Sequence, residues 1–202
     1  MKYAKSEQTR RKLIETTAHH LRVKGAAAMG LSEIIQDSGV PRGSLYHHFP
    51  GGKEELVLHA NMASGKSITQ RLNALLKRTG GPIEAVGAFC DHYIAQLQES
   101  AYTKGCPLAT VTLESAADVD SVHEATAGAF NAMIEFLCEA LTDKGLDATV
   151  AYELTVVTIS TIEGALMLAK SLRSTRPLEI ARDQLVHLLQ THLEPLQNKD
   201  DQ

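Results

Sequence analysis

The run from Arg42 to His48 carries groups that are well suited to bind a polyanion. Arg42 can donate two hydrogen bonds to O6 and N7 of guanine, the commonest specific contact between a protein and a base. Ser44, Tyr46 and the two histidines offer donors to phosphate oxygens, which fix the register of a protein on DNA. Gly43 adds no side-chain bulk where a helix must approach DNA. This combination predicts contact with double-stranded DNA.

Two short helices joined by a glycine turn position these groups. The predicted helices cover about 31–38 and 41–49, and Gly39 separates them. Leu45 and Phe49 are four residues apart, so both face the core and leave the polar residues on the outer side of the second helix. This is the arrangement of a helix-turn-helix, in which the second helix lies in the major groove.

The charges are distributed unevenly along the chain. Residues 1–54 carry nine Lys and Arg against five Asp and Glu, whereas the remainder carries 11 basic and 19 acidic residues, for a total of −4. Lys53 and the backbone amides that open the next helix add an anion site to the basic part. A basic head on an acidic body indicates a polyanion-binding module. A chance fluctuation in surface charge is the alternative.

Every long segment has the apolar spacing of a helix, and the alternating pattern of strands is absent. The predicted fold class is all-α, with about nine helices that form an N-terminal three-helix head and a C-terminal bundle for ligand binding and dimerisation. The head covers residues 1–52 and the bundle covers 53–202, with the fourth helix, about 53–78, as the connector. The first helix is predicted to begin with Ser6 as its N-cap and to end before Gly25.

Composition excludes several classes of protein. With 44% hydrophobic residues and a small net charge, the 202-residue chain is not disordered. No run of 18 apolar residues occurs, and no apolar stretch follows the basic start, so neither a membrane span nor a secretory signal is expected. The three cysteines are odd in number and far apart, which fits a reducing cytoplasm.

The nine histidines do not have the spacing of a metal site. His19-His20 and His47-His48 are adjacent pairs, and neighbours on a helix point about 100° apart. Neither an HExxH motif nor a GxSxG motif occurs. We therefore expect no metal, no cofactor and no enzymatic activity.

Ten residues of the bundle are candidates for the lining of a ligand cavity. Aromatic and methionine side chains at helical spacing can enclose a small apolar or aromatic effector, and a few polar groups can orient it. For any one of them, ordinary core packing is the alternative. Cys106 has two further interpretations, a redox-sensing thiol and an inert core residue. The ten are Phe89, His92, Tyr93, Cys106, Thr110, Glu114, Phe130, Met133, Glu163 and Met167.

The segment 148–172 is apolar on nearly every side, although Glu163 interrupts it. A helix of this kind must be buried on several sides, which in a chain of this size suggests burial against a second copy. Glu163 must be paired, hydrogen-bonded or protonated, since an isolated buried carboxylate is too costly. We predict a homodimer whose interface is a four-helix bundle of this helix and the last one. The interface residues expected on the last helix are Leu178, Ala181, Leu185, Leu188 and Leu189.

The motifs resemble those of the TetR/AcrR family of bacterial transcriptional repressors, over roughly the first quarter of the chain. The resemblance lies in Thr9 to Gly25, in Ser32 to Phe49 and in Lys53-Glu54-Glu55-Leu56. Further on, two short motifs are similar to the LmrA/YxaF-like subgroup, namely Gly105-Cys106-Pro107-Leu108-Ala109 and Ile162-Glu163-Gly164-Ala165.

This resemblance implies a cytoplasmic homodimer that binds a palindromic operator and releases it when a small molecule enters the bundle. A redox-responsive regulator that senses through Cys106, or an enzyme with a helix-turn-helix head, are the alternatives. The resemblance implies which residues contact the DNA, because they occupy the positions of the family's backbone, base and phosphate contacts. The backbone contacts fall on Thr9 and Ser32, the base contacts on Arg42, Gly43 and Ser44, and the phosphate contacts on Tyr46, His47, His48 and Lys53.

Three residues depart from the family pattern. Gly30 replaces the usual Thr or Ser cap of the second helix, which removes one side-chain hydrogen bond. Ser32 stands where a long basic residue is common, so one phosphate contact is expected to be weaker. His20 replaces an apolar residue, and we interpret it as a partly buried core histidine.

Overall fold

The structure, a computed structural model, describes residues 2–114 and 120–200, and the side chains of 5–114 and 120–193. This part of the chain is all-α, as predicted, with nine helices and no strand. The helices are α1 (Lys2–Val23), α2 (Leu31–Ser38), α3 (Arg42–His48), α4 (Gly52–Thr79), α5 (Pro82–Glu99), α6 (Pro107–Glu114), α7 (Asp120–Thr142), α8 (Ala148–Leu172) and α9 (Arg176–Asp200).

The described chain divides into two compact units. The first comprises 2–67, 106–114 and 120–130, and therefore contains α1 to α3, α6 and the early parts of α4 and α7. The second comprises 68–105 and 131–200, with α5, α8, α9 and the later parts of α4 and α7.

The core of the first unit holds the two short helices in place. Five residues are completely buried there: one from each of α1 to α4 and the C-cap residue of α3, namely Leu13, Ile34, Leu45, Leu56 and Phe49. The helix α2 has the predicted bounds because Gly39 ends it in the left-handed conformation, with φ +64°.

Two predicted helix boundaries are wrong. The first helix begins at Lys2, so Ser6 lies within it and is not its N-cap. No glycine or proline interrupts residues 2–5, and the helix extends through them. Pro41 is the extended N-cap of α3, with ψ 139°, rather than its first helical residue. The sequence also predicts a short helix that follows the break at Pro107 and ends near Ala117, and this predicted end lies outside the described residues.

The second unit is a helical bundle in which α9 packs against both α5 and α8. The helix α8 is long and apolar enough to cross a membrane by length and composition alone. In this chain it packs against α9, and Leu154, Ile162 and Leu166 lie on its buried side. One side of α8 is therefore buried within the unit.

Candidate nucleic-acid interface and ligand cavity

The outer side of α3 carries the residues predicted to contact DNA. Arg42, Gly43, Tyr46 and His47 are exposed, Tyr46 to 48%, and Ser44 is half-buried. A Cβ placed on Gly43 would meet no atom within 4 Å, so the space beside this residue is empty in the free protein. The helix therefore presents donors and an unobstructed backbone on the same side.

The inner side of α3 is fixed by contacts with α1 and α4. Leu45 and Phe49 are completely buried, as their spacing predicted. The guanidinium of Arg10, on α1, lies 5.3 Å from the centroid of the Phe49 ring, a cation–π distance. Nη2 of Arg10 lies 3.2 Å from Nδ1 of His59 on α4. These contacts hold the end of α3 against both neighbouring helices.

Two histidines beside this contact have lowered pKa values. Burial lowers the pKa of His59, and the nearby positive charge of Arg10 lowers it further. Burial also lowers the pKa of His48, with added repulsion from His47 and Arg10. Both imidazoles therefore favour the neutral form, and a neutral His59 ring can accept a hydrogen bond from Arg10.

The remaining predicted DNA contacts lie on three other helices. Thr9 is half-buried on α1 and donates its hydroxyl to the carbonyl of Lys5 at 2.9 Å. Ser32 is exposed on α2, and Lys53 is half-buried in the first turn of α4. The amide of Gly51, just before α4, donates to Oε2 of the nearby Glu55 at 2.8 Å. One of the amides expected at the anion site therefore has an intramolecular partner.

Two polar pairs join α2 to the last turn of α1 and to the residue that follows it. His20 is 4% exposed, and its Nε2 lies 2.8 Å from Oδ2 of Asp37. Lys24 forms an ion pair with Glu33, which lowers the pKa of that carboxyl. Ligand atoms of His20, Glu33 and Asp37 lie within 4.8 Å of one another, a spacing that could hold a metal ion. A cation at this point would have to displace both pairs.

The absence of a side-chain cap at Gly30 is evident in the structure. Gly30 is the N-cap of α2 in an extended conformation and makes no side-chain hydrogen bond to the helix. A Cβ on this residue would meet nothing within 4 Å.

Glu114, predicted in the ligand cavity, instead binds the turn after α1. Its carboxylate accepts hydrogen bonds from the backbone amides of Ala26 and of Ala27, the latter at 3.1 Å. It lies where a side chain on Gly25 would be. This contact joins residues nearly ninety positions apart, so the spacing of residues along one helix could not predict it.

A cavity of about 20 Å³ lies within the second unit. Three of the ten predicted ligand residues, Phe89, Met133 and Glu163, line it. The complete lining is Leu72, Val86, Phe89, Met133, Leu137, Thr158, Ile159, Ile162 and Glu163. This volume holds about one water molecule, so a larger ligand requires the walls to move apart.

The other predicted ligand residues of the second unit lie outside this lining. Tyr93 is buried and packs edge-on against Phe89, with ring centroids 5.1 Å apart. His92 lies beside Tyr93, with ring centroids 5.7 Å apart. Met167 is 60% exposed on α8. Apolar residues occupy the whole circumference of this helix, so some of them face away from the neighbouring helices.

Three more of the ten belong to the first unit. Cys106 is 4% exposed, and its carbonyl accepts the Thr110 hydroxyl at 2.8 Å. Phe130 lines a separate cleft of about 90 Å³ with His123 and Thr126. The structure therefore does not bring the ten residues together at one cavity.

Four of the five residues expected at the dimer interface lie in the core of the single chain. Leu178, Ala181, Leu185 and Leu189 are at most 5% exposed, because this side of α9 packs against α5 and α8. Leu188 is half-buried. The spacing of these residues correctly identified the buried side of α9. We expected a second copy of the chain to bury it, whereas α5 and α8 of the same chain do so. The large exposed apolar residues of α8 and α9 are instead Tyr152, Val157, Met167, Leu168, Leu172 and Ile180.

Two family models match separate parts of this chain. Residues 13–60 match the model described as bacterial regulatory proteins, tetR family. Residues 82–184 match the model of the C-terminal domain of LmrA/YxaF-like transcriptional regulators.

Full-length relatives agree with these models. An HTH-type transcriptional regulator of Mycobacterium tuberculosis H37Rv is 32% identical, over 91% of this chain and 95% of the relative. The HTH-type transcriptional regulator LmrA of Bacillus subtilis is 29% identical, over 84% of this chain and 90% of the relative. The crystal structure of a TetR regulatory protein from Rhodobacter sphaeroides has the same fold, with a TM-score of 0.78 and 22% identity, over 88% of this chain and 96% of that one.

Proposed function

We propose that this chain, which belongs to the tetR family of bacterial regulatory proteins and to its LmrA/YxaF-like group, represses transcription as a homodimer that a small molecule releases from its operator. The chain is a transcriptional regulator with a helix-turn-helix head. The repressor role, the dimer, the effector and the contact residues are parts of the proposal. We also propose a cytoplasmic location and no enzymatic activity.

The DNA-binding proposal rests on α3, a short helix with buried apolar residues on one side and exposed polar residues. Its inner residues Leu45 and Phe49 are completely buried, while Arg42, Tyr46 and His47 are exposed. A rigid short helix of this kind can be inserted into a major groove with its first turn near the base edges. Arg42 lies in that first turn and is our candidate for reading guanine.

A homodimer is supported by an exposed apolar stripe on α8. Val157, Leu168 and Leu172 lie on one side of this helix and are 46%, 50% and 65% exposed. Ile180, near the start of α9, is 47% exposed. Several large apolar side chains exposed on the same pair of helices are typical of a protein–protein interface. A two-fold dimer would present two heads to half-sites about 34–36 Å apart on DNA.

The cavity in the second unit is our candidate effector site. Because it holds only about one water molecule, any larger ligand must stabilise a conformation with a wider cavity. A ligand that favours a conformation unsuited to DNA weakens operator binding by the same factor as the operator weakens ligand binding. The helix α4 is the candidate transmitter, because Leu72 of α4 lines the cavity and Lys53 stands at its start.

A redox mechanism receives less support from the cysteines. Cys106 is buried, and burial raises the pKa of Cys90 to about 12, so little of its reactive thiolate exists at neutral pH. We therefore favour a cavity ligand over a thiol as the signal.

Selection from a random DNA library tests the proposed function. The full chain should enrich a palindrome with half-sites one helical turn apart and should bind it as two protomers. Enrichment of DNA without two-fold symmetry, or of no sequence at all, would contradict the proposal.

A further inference from the structure

One charged residue of α1, Arg10, contacts both the end of α3 and the helix α4. Its guanidinium lies 5.3 Å from the centroid of the Phe49 ring, and Phe49 is the C-cap residue of α3. Its Nη2 lies 3.2 Å from Nδ1 and 3.3 Å from Nε2 of His59 on α4. We infer that Arg10 is a positioning residue for operator binding, which fixes the end of α3 through Phe49 and through an uncharged His59. This inference rests on the proposed function, since it takes α3 as the helix that reads DNA.

A helix as short as α3 depends on its neighbours for its position. Its seven residues are too few for a helix that is stable alone in water. The backbone amide of Phe49 donates to the carbonyl of Leu45 at 2.8 Å, so a displacement of Phe49 moves the last turn of α3 with it. Tyr46 and His47, which are predicted to bind phosphates, belong to that turn. The position of Phe49 therefore determines where these two residues meet the DNA.

The contact between Arg10 and His59 requires a neutral imidazole. A neutral ring has one nitrogen that accepts a hydrogen bond, and both nitrogens of His59 lie within hydrogen-bond distance of Nη2 of Arg10. Either neutral tautomer therefore offers an acceptor to the guanidinium. A protonated ring has two donors and a positive charge, so it repels the guanidinium. Protonation of His59 thus breaks the contact.

The surroundings of His59 favour its neutral form in the folded protein. Burial lowers the pKa of His59 and Arg10 lowers it further, whereas Glu55 on α4 raises it. From the end of α3, the uncharged Phe49 ring contacts the imidazole, with centroids 5.6 Å apart. Because this pKa lies below the ordinary 6.5, His59 is neutral at pH 7.5 and gains its proton at a pH below 6.5. The contribution of the contact to operator binding is therefore complete at pH 7.5 and is lost in mild acid.

A direct contact between Arg10 and a DNA phosphate is the alternative role, since the neighbouring Thr9 is predicted to contact the DNA backbone. The two roles differ in their dependence on salt and on pH. A lost phosphate contact reduces the slope of log affinity against log salt concentration by about one. A lost positioning contact leaves this slope unchanged and removes the effect of His59 on the affinity.

The affinity of the full chain for its selected operator, measured in Arg10→Ala and in Arg11→Ala, tests the inference. Arg11 is the matched control, because it is exposed, pairs with Glu15 on the same helix and points about 100° away from Arg10. At pH 7.5, Arg10→Ala should bind the operator about 2- to 10-fold more weakly than Arg11→Ala, the effect of one cation–π contact and one hydrogen bond. The two variants should have the same salt slope.

A further variant, His59→Gln, keeps an acceptor for Arg10 that does not titrate. Its operator affinity should equal that of the wild type at pH 7.5 and exceed it at pH 5.5, since the other histidines are common to both proteins. In the Arg10→Ala background, the ratio of the affinities with His59 and with Gln at this position should no longer depend on pH. The comparison of the wild type with His59→Gln needs no change at Arg10, so it decides the question even if Arg10→Ala fails to fold.

Proton NMR of the imidazole rings tests the contact in the free protein. Removal of a positive charge in Arg10→Ala should raise the pKa values of His48 and His59, whereas Arg11→Ala should leave both unchanged. Unchanged values in a folded Arg10→Ala variant would overturn the inference.

Failure of the inference and failure of the proposed function give different results. If the chain selects no operator, the proposed function fails and the inference fails with it. The inference alone is overturned if the operator is selected but Arg10→Ala and Arg11→Ala bind it equally. The same holds if Arg10→Ala has the lower salt slope, or if His59→Gln has the pH profile of the wild type.

Discussion

The carboxylate of Glu114, at the end of α6, lies where a side chain on Gly25 would be, in the turn that follows α1. It accepts hydrogen bonds from the amides of Ala26 and Ala27 in this turn. Gly25 itself has a φ of +80°, which favours glycine. The turn before the helix-turn-helix is therefore held by a residue of α6.

Gly25→Ala should destabilise the protein for two reasons. The left-handed backbone alone costs an alanine about 1–2 kcal/mol, and the new Cβ displaces the Glu114 carboxylate from the two amides. Chemical denaturation of Gly25→Ala, Glu114→Ala and the double variant measures the coupling. The double variant should lose less stability than the two single changes together, and strict additivity would show that the two residues do not interact.

Gly43→Ala should change stability and DNA affinity in opposite directions. The added methyl group meets empty space, and alanine favours a helix by about 1 kcal/mol, so the free energy of unfolding should be unchanged or higher. On DNA the same methyl group stands between α3 and the groove, so operator affinity should fall. Operator affinity equal to that of the wild type would show that this part of α3 does not approach DNA closely.

The histidines beside Arg10 should make the head less stable in mild acid. The pKa values of His48 and His59 are lower in the folded protein than the ordinary 6.5 of the unfolded chain. Their contribution to stability is therefore complete above pH 6.5 and is lost as the pH falls below it, since the unfolded chain binds protons first.

The variant His59→Gln isolates one of these two groups. Denaturation at pH 7.5 and at pH 5.5 should show a smaller loss of unfolding free energy for the variant than for the wild type. Equal losses would mean that His59 does not contribute to the pH dependence.

Leu168→Asp should separate the proposed dimer without unfolding the chain. Leu168 is 50% exposed on the apolar stripe of α8, and a charge in a two-fold interface is introduced twice. Sedimentation should show a folded monomer with weak operator binding. Leu189→Asp is the contrasting change, because Leu189 is completely buried within the chain and its replacement should unfold the second unit. If the Leu168→Asp variant remains a dimer, the interface does not include this part of α8.

Much of the head could be predicted because its determinants are local in sequence. The spacing of Leu45 and Phe49 identified the inner side of α3, and Gly39 identified the end of α2. The cavity was less predictable. Phe89 and Met133 line it as their spacing suggested, whereas Thr158 was missed, since a threonine in an apolar helix carries no signal until its missing hydrogen bond is seen.

The errors arose where a residue's partner is distant in sequence. Leu185 and Leu189 have the periodicity of a buried side, and periodicity does not tell an intramolecular neighbour from a second copy. Glu114 has the polarity of a ligand contact, but its partners are backbone amides of the turn after α1. Every residue except proline has such an amide, so residue types cannot indicate which amides a distant carboxylate binds.

The central claim, that α3 reads bases through Arg42, is tested most directly by the selectivity ratio of Arg42→Ala. This ratio is the affinity for the selected operator divided by the affinity for a scrambled duplex at the same salt concentration. Arg42→Ala should lower operator affinity by about 1–3 kcal/mol and relax the preference at one base pair of each half-site. Lys53→Ala should weaken both duplexes alike and flatten the salt dependence. An unchanged ratio in Arg42→Ala would contradict the claim.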